Sequence, residues 1–149
     1  MEVDKKILKQ YKSLQKELKM LDKKIDRLYD RQASLPTVMG KVTKSSDDFP
    51  YIEEHVSVQM DEPKEAEEIR RLLLIRGNMR EQVRKSLLSI ETFIADIPDS
   101  TDRQIFELTF LEGKKQREVA DLIGIERSVV SKRITNYINL HTNHKNTML

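Results

Sequence analysis

The sequence predicts an all-α protein: two long amphipathic helices, paired as a helical hairpin or a coiled coil, followed by a C-terminal module of short helices. Three observations carry that prediction. Of 149 residues, 35% are charged, 38% hydrophobic and only 5% aromatic, a balance that suits amphipathic helices. Only four glycines are present, too few for the many tight turns of a β-sandwich or barrel. Apolar residues recur at three- and four-residue spacing over two long stretches.

The same composition excludes several classes. The longest apolar run, Leu72–Ile75, falls far short of the ~18 residues that span a membrane, so no membrane partner is expected. No apolar leader core follows the charged start Met1-Glu2-Val3-Asp4-Lys5-Lys6, so a cytoplasmic chain is expected. The absence of cysteine rules out a disulfide framework and thiolate zinc sites. His141 and His144 have the spacing to share a helix face, but no carboxylate cluster completes a metal site beside them or beside His55. There is no glycine-rich phosphate loop, nucleophile elbow or paired-carboxylate arrangement. The chain is thus expected to have no catalytic residue, no metal and no cofactor, and not to be an enzyme.

Residues 1–33 predict the first long helix. Ile7, Tyr11, Leu14, Leu18, Leu21, Ile25 and Leu28 are spaced 4-3-4-3-4-3, the a/d stripe of a coiled coil. Ten basic and six acidic groups give this stretch +4. Its lysines lie opposite the stripe, where an amphipathic helix carries its solvated face, so they do not by themselves indicate a nucleic-acid arm.

Residues 34–62 break the period. Pro36, Gly40 and Pro50 punctuate them, and two basic against six acidic groups give −4. Val56, Val58 and Met60 alternate with Ser57 and Gln59, which suggests a short strand, so the segment is expected to be either a loop or, with Val38 and Val42 as partner strand, a small β-hairpin.

Residues 63–97 predict the second long helix. Pro63 suits its first turn, and Glu65, Glu67 and Glu68 suit its positive N-terminal end. Ile69, Leu72, Met79, Val83, Ile90 and Phe93 form its stripe, interrupted by Arg76 and Ser86 and widened by Leu73, Leu87 and Ile94. Gly77 weakens its interior.

Residues 98–140 predict the compact module, with 141–149 a flexible tail. Thr101 and Gln104 have capping-box spacing, and the helix they open buries Ile105, Leu108 and Leu111, with Phe106 and Phe110 on an adjoining strip until Gly113. Two short helices around a glycine turn follow. Val119, Leu122 and Ile123 form the apolar face of the first; Ala120 is small where the second must cross; Gly124 turns the chain and Ile125 plugs the angle. Val130 and Ile134 face inward from the second helix. This is the arrangement of a helix-turn-helix.

The outward residue types fit double-stranded DNA. Arg127 has the donors to pair bidentately with guanine, Ser128 and Ser131 can donate or accept, and Val129 suits a thymine methyl. Lys114, Lys115, Gln116, Arg117, Lys132 and Arg133 suit phosphate. From Gly113 to Leu149 seven basic and three acidic groups give +4, directly behind a stretch of −4 over residues 96–112. The overall +2 is an average over unlike parts.

The run from Asp102 to Ile134 resembles region four of bacterial sigma factors. Leu111-Glu112-Gly113, Glu118-Val119-Ala120, Ile123-Gly124-Ile125 and Val130-Ser131-Lys132-Arg133 fill the family's pattern without a gap. Glu126 stands where the family usually has Ser or Thr, and Val129 where it often has Thr. Nothing here resembles the promoter-melting region of a sigma factor. With the long helices and the Ser45-to-Tyr51 loop, the layout resembles phage-encoded regulators of the ArpU/RinA type. That resemblance implies a sequence-specific transcriptional regulator, a phage or prophage late-gene activator working with host RNA polymerase. A homodimer through the long helices is expected. The alternative is a phage DNA-packaging oligomer of the small-terminase kind.

Overall fold

The computed structural model describes residues 2–35 and 49–147, with side chains described for 2–35 and 64–141. Every regular element among the described residues is helical. Asp4 stands extended before α1 (Lys5–Lys9), and its carboxylate accepts the Ile7 N–H at 2.8 Å, satisfying a donor that the helix start leaves free. The Gln10 N–H then donates to the Ile7 carbonyl at 3.0 Å, a tightened turn, and α2 (Tyr11–Ala33) begins at the next residue. That turn rephases the stripe. Leu8 is fully buried while Ile7 is only half-buried, although the 4-3 spacing predicts Ile7 as the inward position. Beyond the turn Tyr11, Leu21, Ile25 and Leu28 are buried, and Leu14 and Leu18 half-buried.

Helix α3 (Phe49–Ala95) starts well before Pro63. The strand expected at Val56–Met60 is therefore helix. Ile52, Val56 and Met60 are also four apart, so the same residues satisfy a helical period, and five alternating positions are too few to separate the two. Position 63 has no N–H to donate to the Gln59 carbonyl, a local loss within a continuing helix. Val38 and Val42, the expected partner strand, lie outside the described residues. Further along α3, Ile69, Val83, Leu87, Ile90 and Ile94 are buried, whereas Met79 is exposed. A Cβ at Gly77 would meet nothing within 4 Å. Gly77→Ala should therefore stabilise the protein by about 0.5–1 kcal/mol, seen as a higher urea midpoint.

By its contacts the chain divides into two units, Lys19–Glu81 and Met1–Leu18 with Gln82–Leu149. In the first, α2 and α3 run antiparallel: Asp22 meets Arg80 at 3.5 Å and Arg31 meets Glu65 at 3.7 Å. Among the described residues Leu21, Ile25, Leu28 and Ile69 are its buried ones.

In the second unit the Tyr11 hydroxyl donates to Glu91 Oε1. Burial first, and that hydrogen bond second, push the Tyr11 phenol up to about 12 from 10. A folded-state value above the unfolded one stabilises fully below pH 10 and loses that contribution as pH rises to 12. Tyr11→Phe should cost about 1–2 kcal/mol at neutral pH. It should also flatten the alkaline decline of stability between pH 10 and 12, measurable by denaturant titration across that window.

After Ile97, buried behind the end of α3, Asp99 opens α4 (Ser100–Phe106). Its carboxylate accepts the Asp102 N–H at 2.9 Å, while Gln104 Nε2 donates to Ser100 Oγ at 3.1 Å. The capping box expected at Thr101 and Gln104 is thus displaced by a formal negative charge at the positive end of the helix. Helix α4 passes into a π-helical segment (Glu107–Leu111), in which the Glu112 N–H donates to the Glu107 carbonyl at 3.1 Å. The wider turn changes which residues face inward. Ile105, Phe106 and Phe110 are buried, and Leu108 and Leu111, expected inward, are half-buried.

Two helices complete the unit, α5 (Gln116–Ile123) and α6 (Arg127–Thr147). Tyr137 packs edge-on against Phe93 and Phe106, with centroids at 5.8 and 5.4 Å, and Phe110 lies 5.4 Å from Phe106. His141, assigned by sequence to a tail, lies 5.1 Å from the Phe93 ring one helical turn beyond Tyr137. The helix runs on past that position to Thr147. Burial, and then the negative charges of Asp96 and Asp102, raise the Tyr137 phenol above its ordinary value.

Candidate nucleic-acid interface

The core between α5 and α6 follows from small and branched residues at close quarters. Val119 and Val130 are fully buried, Ala120 and Ile134 nearly so, and Ile123 and Ile125 are half-buried. Ala120 has no side chain beyond Cβ to hold the helices apart. Leu122, expected on the apolar face of α5, is instead 63% exposed. It is three residues past Val119 and two past Ala120, which places it beyond the edge of an eight-residue helix's narrow buried face.

Gly124 makes the turn. Its φ is +84°, and its N–H and that of Ile125 both donate to the Ala120 carbonyl, at 2.8 and 3.1 Å. These bonds close the C-terminus of α5 and need a left-handed residue there. A Cβ at Gly124 would find open space, so Gly124→Ala should pay only the backbone penalty of about 1–2 kcal/mol. Paired thermal melts of this variant and Gly77→Ala should move in opposite directions.

Lys115 is the cap residue of α5 and makes no side-chain hydrogen bond to the helix start. The first-turn N–H groups and the positive helix end therefore stand beside the basic side chains that surround them. At the start of α6, the Glu126 carbonyl accepts from Val129 and Val130 at 3.0 and 3.2 Å. Glu126 thus occupies the turn into the helix through its backbone carbonyl.

The two helix starts meet at an open cleft of about 260 Å³ lined by Lys115, Gln116, Arg117 and Arg127. Four residues singled out in the sequence for DNA contact, three for phosphate and one for a base, share this one concavity. Lys115, Arg117 and Arg127 are exposed, as are Ser128, Ser131 and Lys132 along α6. Lys114 and Val129 are half-buried. Val129, expected outward for a thymine methyl, sits at the margin of the packed face beside Val130.

Arg133 is elsewhere. Its Nη1 lies 3.0 Å from Asp102 Oδ1 and 3.3 Å from Asp99 Oδ2. Expected to contact phosphate, it is engaged instead in tying α6 to the start of α4. The acidic stretch over residues 96–112 supplies its partners, and Arg103 adds a 2.8 Å hydrogen bond to the Ile97 carbonyl. Partners 31 and 34 positions away leave no local spacing by which the sequence marks this clasp.

No family model, curated protein or solved structure matches the chain.

Proposed function

We propose that this chain is a sequence-specific regulator of transcription that binds double-stranded DNA through α5 and α6. The observation that carries this reading is the basic cleft where Lys115, Gln116, Arg117 and Arg127 converge. On this reading α5, the Gly124 turn and α6 form a helix-turn-helix, and α6 enters the major groove by its N-terminal end. Arg127, the first residue of α6, then reaches base edges with Ser128 and Ser131 behind it. Lys114, Lys115, Arg117 and Lys132 neutralise phosphate, and the uncapped start of α5 offers N–H groups to a phosphate oxygen. Arg133 positions α6 from behind and stays off the DNA.

The long helices serve, in this reading, as a coiled-coil element through which two copies join. Two modules then contact half-sites about 34 Å apart, or a multiple of that spacing. The resemblance of Asp102–Ile134 to sigma region four favours a phage or prophage late-gene activator that works with host RNA polymerase in the bacterial cytoplasm.

The test is a mobility shift on a duplex pool at several salt concentrations, with the mass of the complex measured on the same sample. A dimer on DNA, with affinity falling steeply as salt rises, is the expected result. A large ring on DNA would point to packaging instead, and no binding at low salt would remove the DNA reading altogether.

A further inference from the structure

Within the unit Lys19–Glu81, the antiparallel pair carries a feature that helix packing does not require. Arg76 stands on the inward stripe of α3, between Leu72 and Met79, at a place where the 3-4 spacing calls for an apolar residue. It is half-buried, and a cleft of about 310 Å³ opens beside it, lined by Lys24, Arg27, Leu28 and Arg31 of α2 and by Leu72 and Arg76 of α3.

Four cations thus surround one concavity. Arg31 is shared with Glu65 at 3.7 Å. Lys24, Arg27 and Arg76 make no ion pair with any described residue. On α2 alone, Lys24, Arg27 and Arg31 are three and four apart, so each repels the next along the same face. The neighbouring pair Asp22–Arg80 shows that a cation between these helices can be given a carboxylate partner in the fold; among the described residues Arg76 has none. A broken packing rule together with three cations, Lys24, Arg27 and Arg76, that no carboxylate among the described residues pairs marks a place shaped for something outside the chain.

We propose that this cleft binds a small oligophosphate, with a nucleoside polyphosphate as the form that uses all of it. The guanidinium groups of Arg27, Arg31 and Arg76 present planar forks to phosphate oxygens, and the Lys24 ammonium adds a point charge. Leu28, buried, and Leu72, half-buried, supply an apolar floor on which a base can lie. The volume is at the lower end of the range for small-molecule sites, about 300–1,000 Å³. A duplex backbone is a convex rod that touches the rim of such a concavity and leaves its floor empty. The site shares no residue with the cleft at α5 and α6 and does not depend on the DNA reading.

The experiment is isothermal titration calorimetry of the full chain with inorganic tripolyphosphate and, separately, with ATP. Both should bind saturably at one site per chain. Tighter binding of ATP identifies a nucleotide as the occupant; equal binding identifies the free oligophosphate. Arg76→Gln and Arg27→Gln should each weaken binding about tenfold or more. Arg70→Gln, an exposed arginine paired with Glu67 and outside the cleft, should change nothing. Thermal melts guard against a folding artefact: without ligand, Arg76→Gln should melt no lower than the parent, because it relieves repulsion. With tripolyphosphate at one fixed concentration the parent should gain more stability than Arg76→Gln. Absence of saturable binding, or equal binding by the parent and Arg76→Gln, would overturn the proposal. So would displacement of tripolyphosphate by short duplex DNA that is itself lost in Arg76→Gln, since the anion would then be a nucleic-acid backbone.

Discussion

Phe106→Ala should be the most damaging single substitution in the C-terminal unit, costing about 3–5 kcal/mol. Phe106 is fully buried and meets Phe93, Phe110 and Tyr137 at centroid distances of 6.3, 5.4 and 5.4 Å. It therefore joins α3, α4, the π-helical segment and α6 through one side chain. Truncation removes the transfer energy of a whole ring and leaves a cavity whose walls sit on four elements. Those walls cannot close by moving one of them. A loss of this size is a large share of the stability of an ordinary domain. Denaturant unfolding should show the loss, and near-neutral fluorescence of the tyrosines should report loosening around Tyr137. Phe106→Leu, which keeps most of the volume, should retain much of the stability; equal losses for both would mean that the ring contacts, and not the filled volume, carry the effect.

The second large effect concerns the proposed interface. Arg127→Ala should cost about 1–3 kcal/mol, or roughly 5- to 150-fold, on the preferred duplex and relax the choice of base at one position. Lys115→Ala should weaken all sequences alike and lower the slope of log affinity against log salt by about 1. The two side chains line the same cleft, so their difference reflects what each touches and not where it sits. Competition binding with duplexes varied one base pair at a time checks this. If both variants lost affinity uniformly, Arg127 would be a phosphate contact and the direction of approach of α6 would have to be revised.

Much of this architecture is legible in the sequence because it rests on local periods. The stripe from Tyr11 to Leu28, the break around Pro98, and the set Val119, Ala120, Gly124, Val130 and Ile134 are all set by spacing or by the need for a small or left-handed residue. What escapes is set by geometry that spacing does not encode. One tightened turn at Gln10 exchanges Leu8 for Ile7, and one wide turn at Glu107–Leu111 exchanges Phe106 and Phe110 for Leu108 and Leu111. Each moves the phase by about one residue, enough to change which side chains are buried. The strand expected at Val56–Met60 fails for a related reason, since residues four apart satisfy both periods in a short window. Arg133 is legible as basic and outward-leaning, but Asp99 and Asp102 reach it only through the fold. The convergence of Lys115, Gln116, Arg117 and Arg127 is half-visible in the sequence: their types suit DNA, while their sharing of one cleft follows from the Gly124 turn.

The central claim, that α5 and α6 bind preferred DNA sequences, is tested most directly by selecting bound fragments from the genome of origin and footprinting them with the full chain. The expected result is a protected site upstream of an operon, with two half-sites about one helical turn apart or a multiple of it, and protection lost in Arg127→Ala. Uniform, salt-sensitive protection with no preferred site would contradict it.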